Sequence, residues 1–107
     1  DLIIRGGVNI SPVEIDGVIA EHPEVAEAVT VGVPNEIYGE EVIAYVALIP
    51  GANANAAEII AHCGERLPAL KTPKQIILRD TLPKNARGKH DRVALLEDWM
   101  KDNTAVN

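Results

Sequence analysis

The chain has 107 residues, of which 47% are hydrophobic, and a formal net charge of -6. A chain of this length suits a single domain with one modest core. No apolar run approaches the roughly 18 residues that a membrane span needs, and the acidic balance argues against a general nucleic-acid binder, because such proteins attract phosphates through clustered positive charge. We therefore expect one domain over residues 1–107, with no membrane span and no nucleic-acid partner. Since the chain begins at Asp1 and runs at once into apolar residues, we also expect it to be part of a longer protein.

The first part of the chain predicts a hairpin followed by a helix. Residues 2–10 (LIIRGGVNI) place Gly6 and Gly7 between two β-prone stretches, and such a pair closes a tight hairpin because glycine tolerates positive φ. Residues 11–14 (SPVE) then combine a serine cap, a proline at the first helical position and a glutamate three residues after the cap, which together form a capping box. The helix would end at residues 21–23 and bury three aliphatic side chains, Ile15, Val18 and Ile19.

Two strands are predicted next. Residues 25–33 and 41–49 are rich in valine, isoleucine and alanine, and turn-forming residues stand between them. Because the connection is too short for a crossover helix, the two strands should be antiparallel. On this interpretation the glutamates at 40 and 41 form a solvated start of the second strand.

The last part of the chain predicts a helix, a strand and a helix. Asn55 and Glu58 are spaced to cap a helix that runs to about residue 67. Residues 74–78 form a short third strand, and residues 91–101 form a helix with four apolar side chains on one face, Val93, Leu96, Trp99 and Met100. The predicted class is therefore α+β, an N-terminal β-hairpin plus a small three-stranded sheet packed with about three helices.

The cysteine and histidine residues argue against a metal or disulfide site. A single cysteine, Cys63, cannot form an internal disulfide, and its place in a predicted helix favours a small core residue over a nucleophile. This use of cysteine suggests a cytoplasmic location. The three histidines, His22, His62 and His90, share no metal-ligand spacing, so we expect no metal site.

Positive charge is concentrated in residues 71–92. This segment holds seven of the ten lysines and arginines against two acids, a net charge of +5, and the rest of the chain carries -11. Within it, Lys89 follows Gly88 in a polar surface loop, and an ammonium group beside glycine is a candidate contact for a phosphate or carboxylate. The alternative is a solvated loop that serves solubility. A Walker-type phosphate loop is excluded, because that motif needs glycine where Pro83 stands and serine or threonine where His90 stands.

Four segments, in this order, resemble the C-terminal domain of the acyl-adenylate-forming superfamily, most closely that of acyl-CoA synthetases. They are residues 2–15 (LIIRGGVNISPVEI), 39–46 (GEEVIAYV), 70–74 (LKTPK) and 82–92 (LPKNARGKHDR). Each segment alone is a weak signal, but the four in this order make a specific one, and the resemblance extends over residues 1–101.

The resemblance implies a function in two steps. A carboxylic acid, fatty or otherwise, is activated with MgATP to an acyl-adenylate, and CoA then displaces AMP to give a thioester, while the small domain moves between the two steps. It implies that Lys89 is the catalytic lysine, that Gly6 and Gly7 flank the thiol channel, that Gly88 belongs to the lysine loop and that Asp1 lies next to the interdomain hinge. The partner would be the protein's own large N-terminal domain. The isolated domain should be inactive and hold neither ATP nor CoA tightly.

Two positions depart from the family pattern, and three alternatives stay open. Histidine at position 90 replaces a usual aliphatic residue, and could face solvent or add a titrating group near the adenylate; Val8 stands where an acid is common. The acceptor could instead be a carrier protein, as in the adenylation domain of a peptide synthetase. The chain could also be a binding module that docks an acidic partner on residues 71–92, or a structural domain with a solvated loop.

Overall fold

The structure is a computed structural model that describes residues 2–103. Its five strands are β1 (Ile3–Arg5), β2 (Val8–Ile10), β3 (Val25–Asn35), β4 (Gly39–Leu48) and β5 (Gln75–Leu78). Its three α-helices are α1 (Pro12–Ala20), α2 (Ala56–Gly64) and α3 (Arg92–Asn103), and a short 3-10 helix covers Ala69–Lys71. Asp1, predicted to lie next to a hinge, is outside the described residues.

Strand β4 organises the sheet. It pairs along its whole length with β3, from Val25 opposite Leu48 to Asn35 opposite Gly39, and this pairing is antiparallel as predicted. The other edge of β4 pairs with two strands. Strand β5 runs parallel to β4, because the chain returns through α2 before it enters β5, and β1 pairs with β4 where Arg5 lies opposite Gly39. The predicted hairpin and three-stranded sheet therefore form one five-stranded sheet, and the α+β class is confirmed.

The sheet is buried on both faces. Val42, Ala44 and Val46 of β4 enter one apolar cluster with α1 and α2, whereas the alternate residues enter a second cluster with α3. Because successive side chains of a strand point to opposite faces, a strand covered on both faces is apolar at every position. This arrangement explains the continuous run of valine, isoleucine and alanine in β3 and β4.

Both predicted caps are present, but only one is complete. At α2, Asn55 Oδ1 accepts a hydrogen bond from the Glu58 N–H at 2.8 Å, and Glu58 Oε1 accepts one from the Asn55 N–H at 2.8 Å. At α1, Ser11 Oγ accepts from the Glu14 N–H at 3.3 Å, while the Glu14 carboxylate binds Lys71 Nζ at 3.2 Å. Ile15 and Ile19 of α1 are fully buried as predicted. Helix α2 ends at Gly64, before the predicted residue 67.

The face predicted for α3 was only partly right, because Val93 and Met100 are exposed. Leu95 is the fully buried residue of this helix, Leu96 and Trp99 pack against the same cluster, and Val93 is 66% exposed. The reason is the start of the helix at Arg92, whose guanidinium donates to the Thr30 carbonyl oxygen at 2.8 Å. This contact turns the side that carries Arg92 and Leu95 toward the sheet.

The single cysteine is a core residue, as predicted. Cys63 is fully buried on α2, and burial raises the pKa of its thiol to about 11. His62 next to it is also largely buried and its Nε2–H donates to the Val18 carbonyl oxygen at 2.7 Å. Across residues 2–103, no helix is both long and apolar enough to cross a membrane.

Candidate functional site

Most of the cations in residues 71–92 bind acids from other parts of the chain. Four of the seven form ion pairs: Lys71 with Glu14, Arg79 with Asp98, Lys84 with Glu27 and Arg92 with Asp16, at 3.2, 3.0, 2.8 and 2.6 Å. Within the described part of the chain, Lys74, Arg87 and Lys89 have no acidic partner in an ion pair. The local excess of positive charge is therefore largely compensated in the fold, and the three remaining cations are the ones available to a ligand.

Residues 84–90 form a small closed loop. Lys84 and His90 face each other in an antiparallel bridge, and the Asn85 N–H donates to the Lys89 carbonyl oxygen at 2.7 Å. Asn85 Oδ1 accepts from the backbone N–H groups of Arg87 and Lys89, at 2.8 and 3.1 Å. Gly88 has a φ of 80°, a conformation that favours glycine. Asn85 thus fixes the backbone of the loop from within.

The base of this loop is attached to the start of β3. Glu27 Oε1 accepts from Lys84 Nζ and from His90 Nε2, each at 2.8 Å. These hydrogen bonds, from Lys84 first and then from His90, lower the pKa of Glu27. His90 therefore does not point freely into solvent, the first of the two outcomes considered for it, but contacts Glu27.

Further anchors lie on either side of the loop. Leu82 before it is buried in the cluster beneath α3. Arg92 after it binds Asp16 of α1 and the Thr30 carbonyl oxygen of β3. The Asp91 N–H donates to the Pro83 carbonyl oxygen at 3.0 Å, which draws the two sides together. The loop is exposed at its tip and fixed at its base.

Lys89 lies at this exposed tip. Its side chain is exposed and forms no hydrogen bond or ion pair with any side chain in residues 2–103. A cationic side chain without a partner, on a backbone held by several hydrogen bonds, can approach an anion on another body without first breaking an internal contact.

The glycine hairpin forms a second exposed feature. Gly6 and Gly7 adopt φ values of 59° and 83°, so they close the turn between β1 and β2 as predicted. The Gly6 N–H donates to the Tyr38 carbonyl oxygen at 2.8 Å, and the Arg5 guanidinium lies 4.1 Å from the centre of the Tyr38 ring. The hairpin is thus held against the turn between β3 and β4.

The prediction that Glu41 is solvated was wrong. Glu41 is only 8% exposed and binds Arg5 through two hydrogen bonds, at 2.9 and 3.2 Å. Burial alone would raise the pKa of Glu41, but hydrogen bonds from Arg5 and from the Val42 N–H, with the positive charge of Arg5, outweigh burial and lower it. Period-two alternation was the available signal, since Glu41 shares a face of β4 with the buried Ile43.

The lysine loop (residues 84–90) and the glycine hairpin (residues 3–10) lie at opposite ends of β3. Glu27, which holds the lysine loop, and Asn35, next to the turn that holds the hairpin, are eight residues apart along Val25–Asn35. At about 3.3 Å per residue this separation is roughly 26 Å. The structure therefore does not bring Lys89 and Gly88 together with Gly6 and Gly7 in one site.

Sequence reasoning singled out Lys89 and the glycines but missed the acids that position them. Glu27 is the only charged residue in the apolar stretch 25–33, and an isolated charge within a buried strand was the available signal. Asp16 lies at helix spacing with the buried Pro12, Ile15 and Ile19, and it accepts from the Thr30 N–H at 2.6 Å, so an acid on the buried side of α1 was the available signal.

Comparisons with known proteins agree with this architecture. The profile of the family described as "AMP-binding enzyme C-terminal domain" matches residues 14–89. The chain is 41% identical over 101 residues to the oxalate–CoA ligase of Arabidopsis thaliana and 42% identical over 107 residues to the 4-chlorobenzoate–CoA ligase of Pseudomonas sp. strain CBS-3. These alignments cover 94% and 99% of this chain, and 20% of each relative.

A solved structure shows the same similarity in three dimensions. Apo MatB from Rhodopseudomonas palustris superimposes with a TM-score of 0.88 and 37% identity, over 92% of this chain and 20% of that one. The chain thus spans about a fifth of the length of the relatives that it matches.

Proposed function

The chain belongs to the family of AMP-binding enzyme C-terminal domains, and from that premise we propose that it is the small, mobile domain of an AMP-forming acyl-CoA synthetase. The complete enzyme would convert a carboxylic acid and ATP into an acyl-adenylate and pyrophosphate, and then transfer the acyl group to the thiol of CoA with release of AMP. Besides these substrates, the domain would have the large N-terminal domain of the same protein as its partner. We propose a cytoplasmic location for the complete enzyme.

The observation that carries this proposal is the state of Lys89. It is an exposed cation without an ion pair, on a loop whose backbone is fixed by Asn85 and whose base is fixed by Glu27. In the adenylation step its ammonium group would bridge the carboxylate of the acid and the phosphate oxygens of ATP. In a site closed to water, a charge so placed stabilises the transition state by up to several kcal/mol.

The glycine hairpin would serve the second step. Gly6 and Gly7 carry no side chains, so a narrow channel for the thiol arm of CoA can pass close to their backbone. An added Cβ at Gly7 would meet no atom within 4 Å in this domain, which leaves that side of the hairpin free for another body.

The choice of acid would be made outside this domain. The two relatives described above are named for acids as different as oxalate and 4-chlorobenzoate, yet they are 41% and 42% identical to this chain. Mg²⁺ would enter the complete enzyme with the phosphates of ATP.

The test compares two lysine-loop variants in the full-length enzyme that carries this domain. Lys89→Ala should slow pyrophosphate release in the adenylation step by at least about a hundredfold. It should leave thioester formation from supplied acyl-adenylate and CoA nearly unchanged. Arg87→Ala is the matched control, because Arg87 is also exposed and without an ion pair in the same loop; this variant should behave as the unmodified enzyme in both steps.

Two results would contradict the proposal. Equal adenylation rates in the Lys89→Ala and Arg87→Ala variants would mean that the loop is a solvated surface. Sustained pyrophosphate release by the isolated 107-residue chain with ATP, CoA and a panel of carboxylic acids would mean that the large domain is not required.

The loop geometry also bears on the alternative of a binding module for an acidic partner. Neutralising Lys84, Arg87 and Arg92 together would not test that alternative cleanly, because Lys84 and Arg92 already bind Glu27 and Asp16. A binding test should instead neutralise the cations without an ion pair, Lys74 and Arg87, and leave Lys89 in place.

A further inference from the structure

Glu27 lies where it can control the position of the lysine loop. We propose that Glu27 is a positioning residue for Lys89, holding the base of the loop on β3 so that the lysine reaches the adenylation site in a fixed geometry. This inference rests on the proposed function of Lys89. Glu27 itself would touch neither substrate nor ATP.

One carboxylate oxygen of Glu27 binds both sides of the loop. Oε1 accepts from Lys84 Nζ and His90 Nε2 at 2.8 Å each, and these two residues are the partners of the bridge that closes residues 84–90. Because a carboxylate oxygen only accepts, His90 Nε2 must carry its proton, in the neutral or the charged ring. Loss of the carboxylate would therefore remove a contact on each side of the loop at once.

The position of Lys89 depends directly on this base. Lys89 lies between His90, which Glu27 holds, and Gly88, whose φ of 80° belongs to a residue with wide conformational freedom. No side chain in the described part of the chain binds the Lys89 ammonium group. The strand that carries Glu27 is anchored in the sheet, since Glu27 pairs with Ala47 of β4 and Val29 two residues later is fully buried in the core. An error of about 1 Å in a catalytic group can reduce a rate about a hundredfold.

A purely structural role for Glu27 predicts a different behaviour. Its side chain is 28% exposed and its partner Lys84 is 46% exposed, so the ion pair should add little to the stability of the whole domain. Asp98 offers a matched control, because it forms one ion pair, with Arg79, at 3.0 Å, away from the loop. If partly exposed ion pairs matter only for folding, Glu27→Ala and Asp98→Ala should have similar effects.

The experiment measures both half-reactions in the full-length enzyme. Glu27→Ala should slow adenylation by about tenfold or more, leave thioester formation from supplied acyl-adenylate unchanged, and differ from Asp98→Ala, which should be active in both. Glu27→Gln, which keeps an oxygen acceptor, should recover part of the lost rate. In the Lys89→Ala background, Glu27→Ala should cause no further loss, because its effect acts through the lysine.

The results that would contradict the role of Glu27 differ from those that would contradict the proposed function of Lys89. If Lys89→Ala slows adenylation but Glu27→Ala does not, or if the two losses simply multiply in the double variant, Glu27 does not position the lysine. If Lys89→Ala itself has no effect, the proposed function fails instead.

A measurement on the 107-residue chain is independent of activity. Amide hydrogen exchange at Asn85 and Lys89 should be about fivefold faster in Glu27→Ala, with core amides unchanged. Unaltered exchange at these two amides would overturn the positioning role even if the variant enzyme could not be assayed.

Discussion

At the scale of single residues, the buried pair of Arg5 and Glu41 makes a testable contribution to stability. The pKa of Glu41 is lowered in the folded chain from its ordinary value of 4.5, so the pair contributes fully above that value and its contribution is lost as the pH falls below it. Removing one partner leaves a largely buried charge without compensation, so Glu41→Ala should lower the free energy of unfolding by roughly 3 kcal/mol at neutral pH.

Urea unfolding at two pH values checks this prediction. The difference in the free energy of unfolding between the unmodified chain and Glu41→Ala should be large at about pH 6 and much smaller at about pH 3. Glu27, whose pKa is lowered as well, stays in both chains and cancels in the comparison. A difference that does not change with pH would show that the carboxylate is not charged in the fold.

Cys63 provides a second prediction at this scale. Burial raises the pKa of its thiol to about 11, and the thiolate is the reactive species. A thiol reagent at about pH 8 should therefore leave the folded chain unmodified and label it rapidly in urea. Stoichiometric labelling of the folded chain, at a rate near that in urea, would contradict the buried position.

The residue scale also shows what the sequence could not reveal. Local signals identified Cys63 as a core residue and singled out Lys89, because each depends on near neighbours in the chain. The partners of charged residues were not identified: Arg5 meets Glu41, and Arg92 meets Asp16, only after the sheet and α3 are assembled. Contacts between residues distant in sequence leave no pattern in a single sequence.

At the scale of elements, the two helix caps predict different costs. The box at α2 has both hydrogen bonds at 2.8 Å, whereas the box at α1 has one, at 3.3 Å. Asn55→Ala should therefore lower the free energy of unfolding by about 1 kcal/mol. Ser11→Ala should lower the free energy of unfolding by about half that amount.

Denaturant unfolding of both variants measures this ranking, with Asn53→Ala as the control. Asn53 is an exposed asparagine just before the cap, and only its backbone N–H is bound, by Glu24. An equal cost for Asn53→Ala and Asn55→Ala would mean that the side-chain cap is not the source of the effect.

The elements themselves were largely predictable. The glycine pair, the two capping motifs and the apolar runs identified the hairpin, α1, α2 and the antiparallel pair of β3 and β4. The face of α3 was predicted only in part, because its short apolar pattern fits more than one side and a long-range contact of Arg92 selects between them. The attachment of the hairpin to β4 likewise depends on contacts between residues distant in sequence, Arg5 opposite Gly39 and the ion pair of Arg5 with Glu41.

At the scale of the whole molecule, the separation of the two exposed loops has a functional consequence. The lysine loop and the glycine hairpin are held at opposite ends of β3, on contacts that lie roughly 26 Å apart along the strand at its usual rise. One active site on a partner domain could not receive both at once. The domain would have to present one end for adenylation and, after reorientation, the other for thioester formation, so damage to each end should affect a different step.

Gly7→Ala tests this separation, with Gly51→Ala as its matched control. Both glycines have positive φ, 83° and 84°, and an added Cβ at either would meet no atom within 4 Å, so each substitution should cost about 1 kcal/mol of stability through backbone strain alone. Gly51 lies in the turn after β4, at the end of the sheet opposite the glycine hairpin. In the full-length enzyme, Gly7→Ala should slow thioester formation and leave adenylation intact, the reverse of Lys89→Ala, while Gly51→Ala should change neither step. If Gly7→Ala and Lys89→Ala instead slowed the same step, the two ends of β3 would serve one pose, and the domain would need no reorientation between the two reactions.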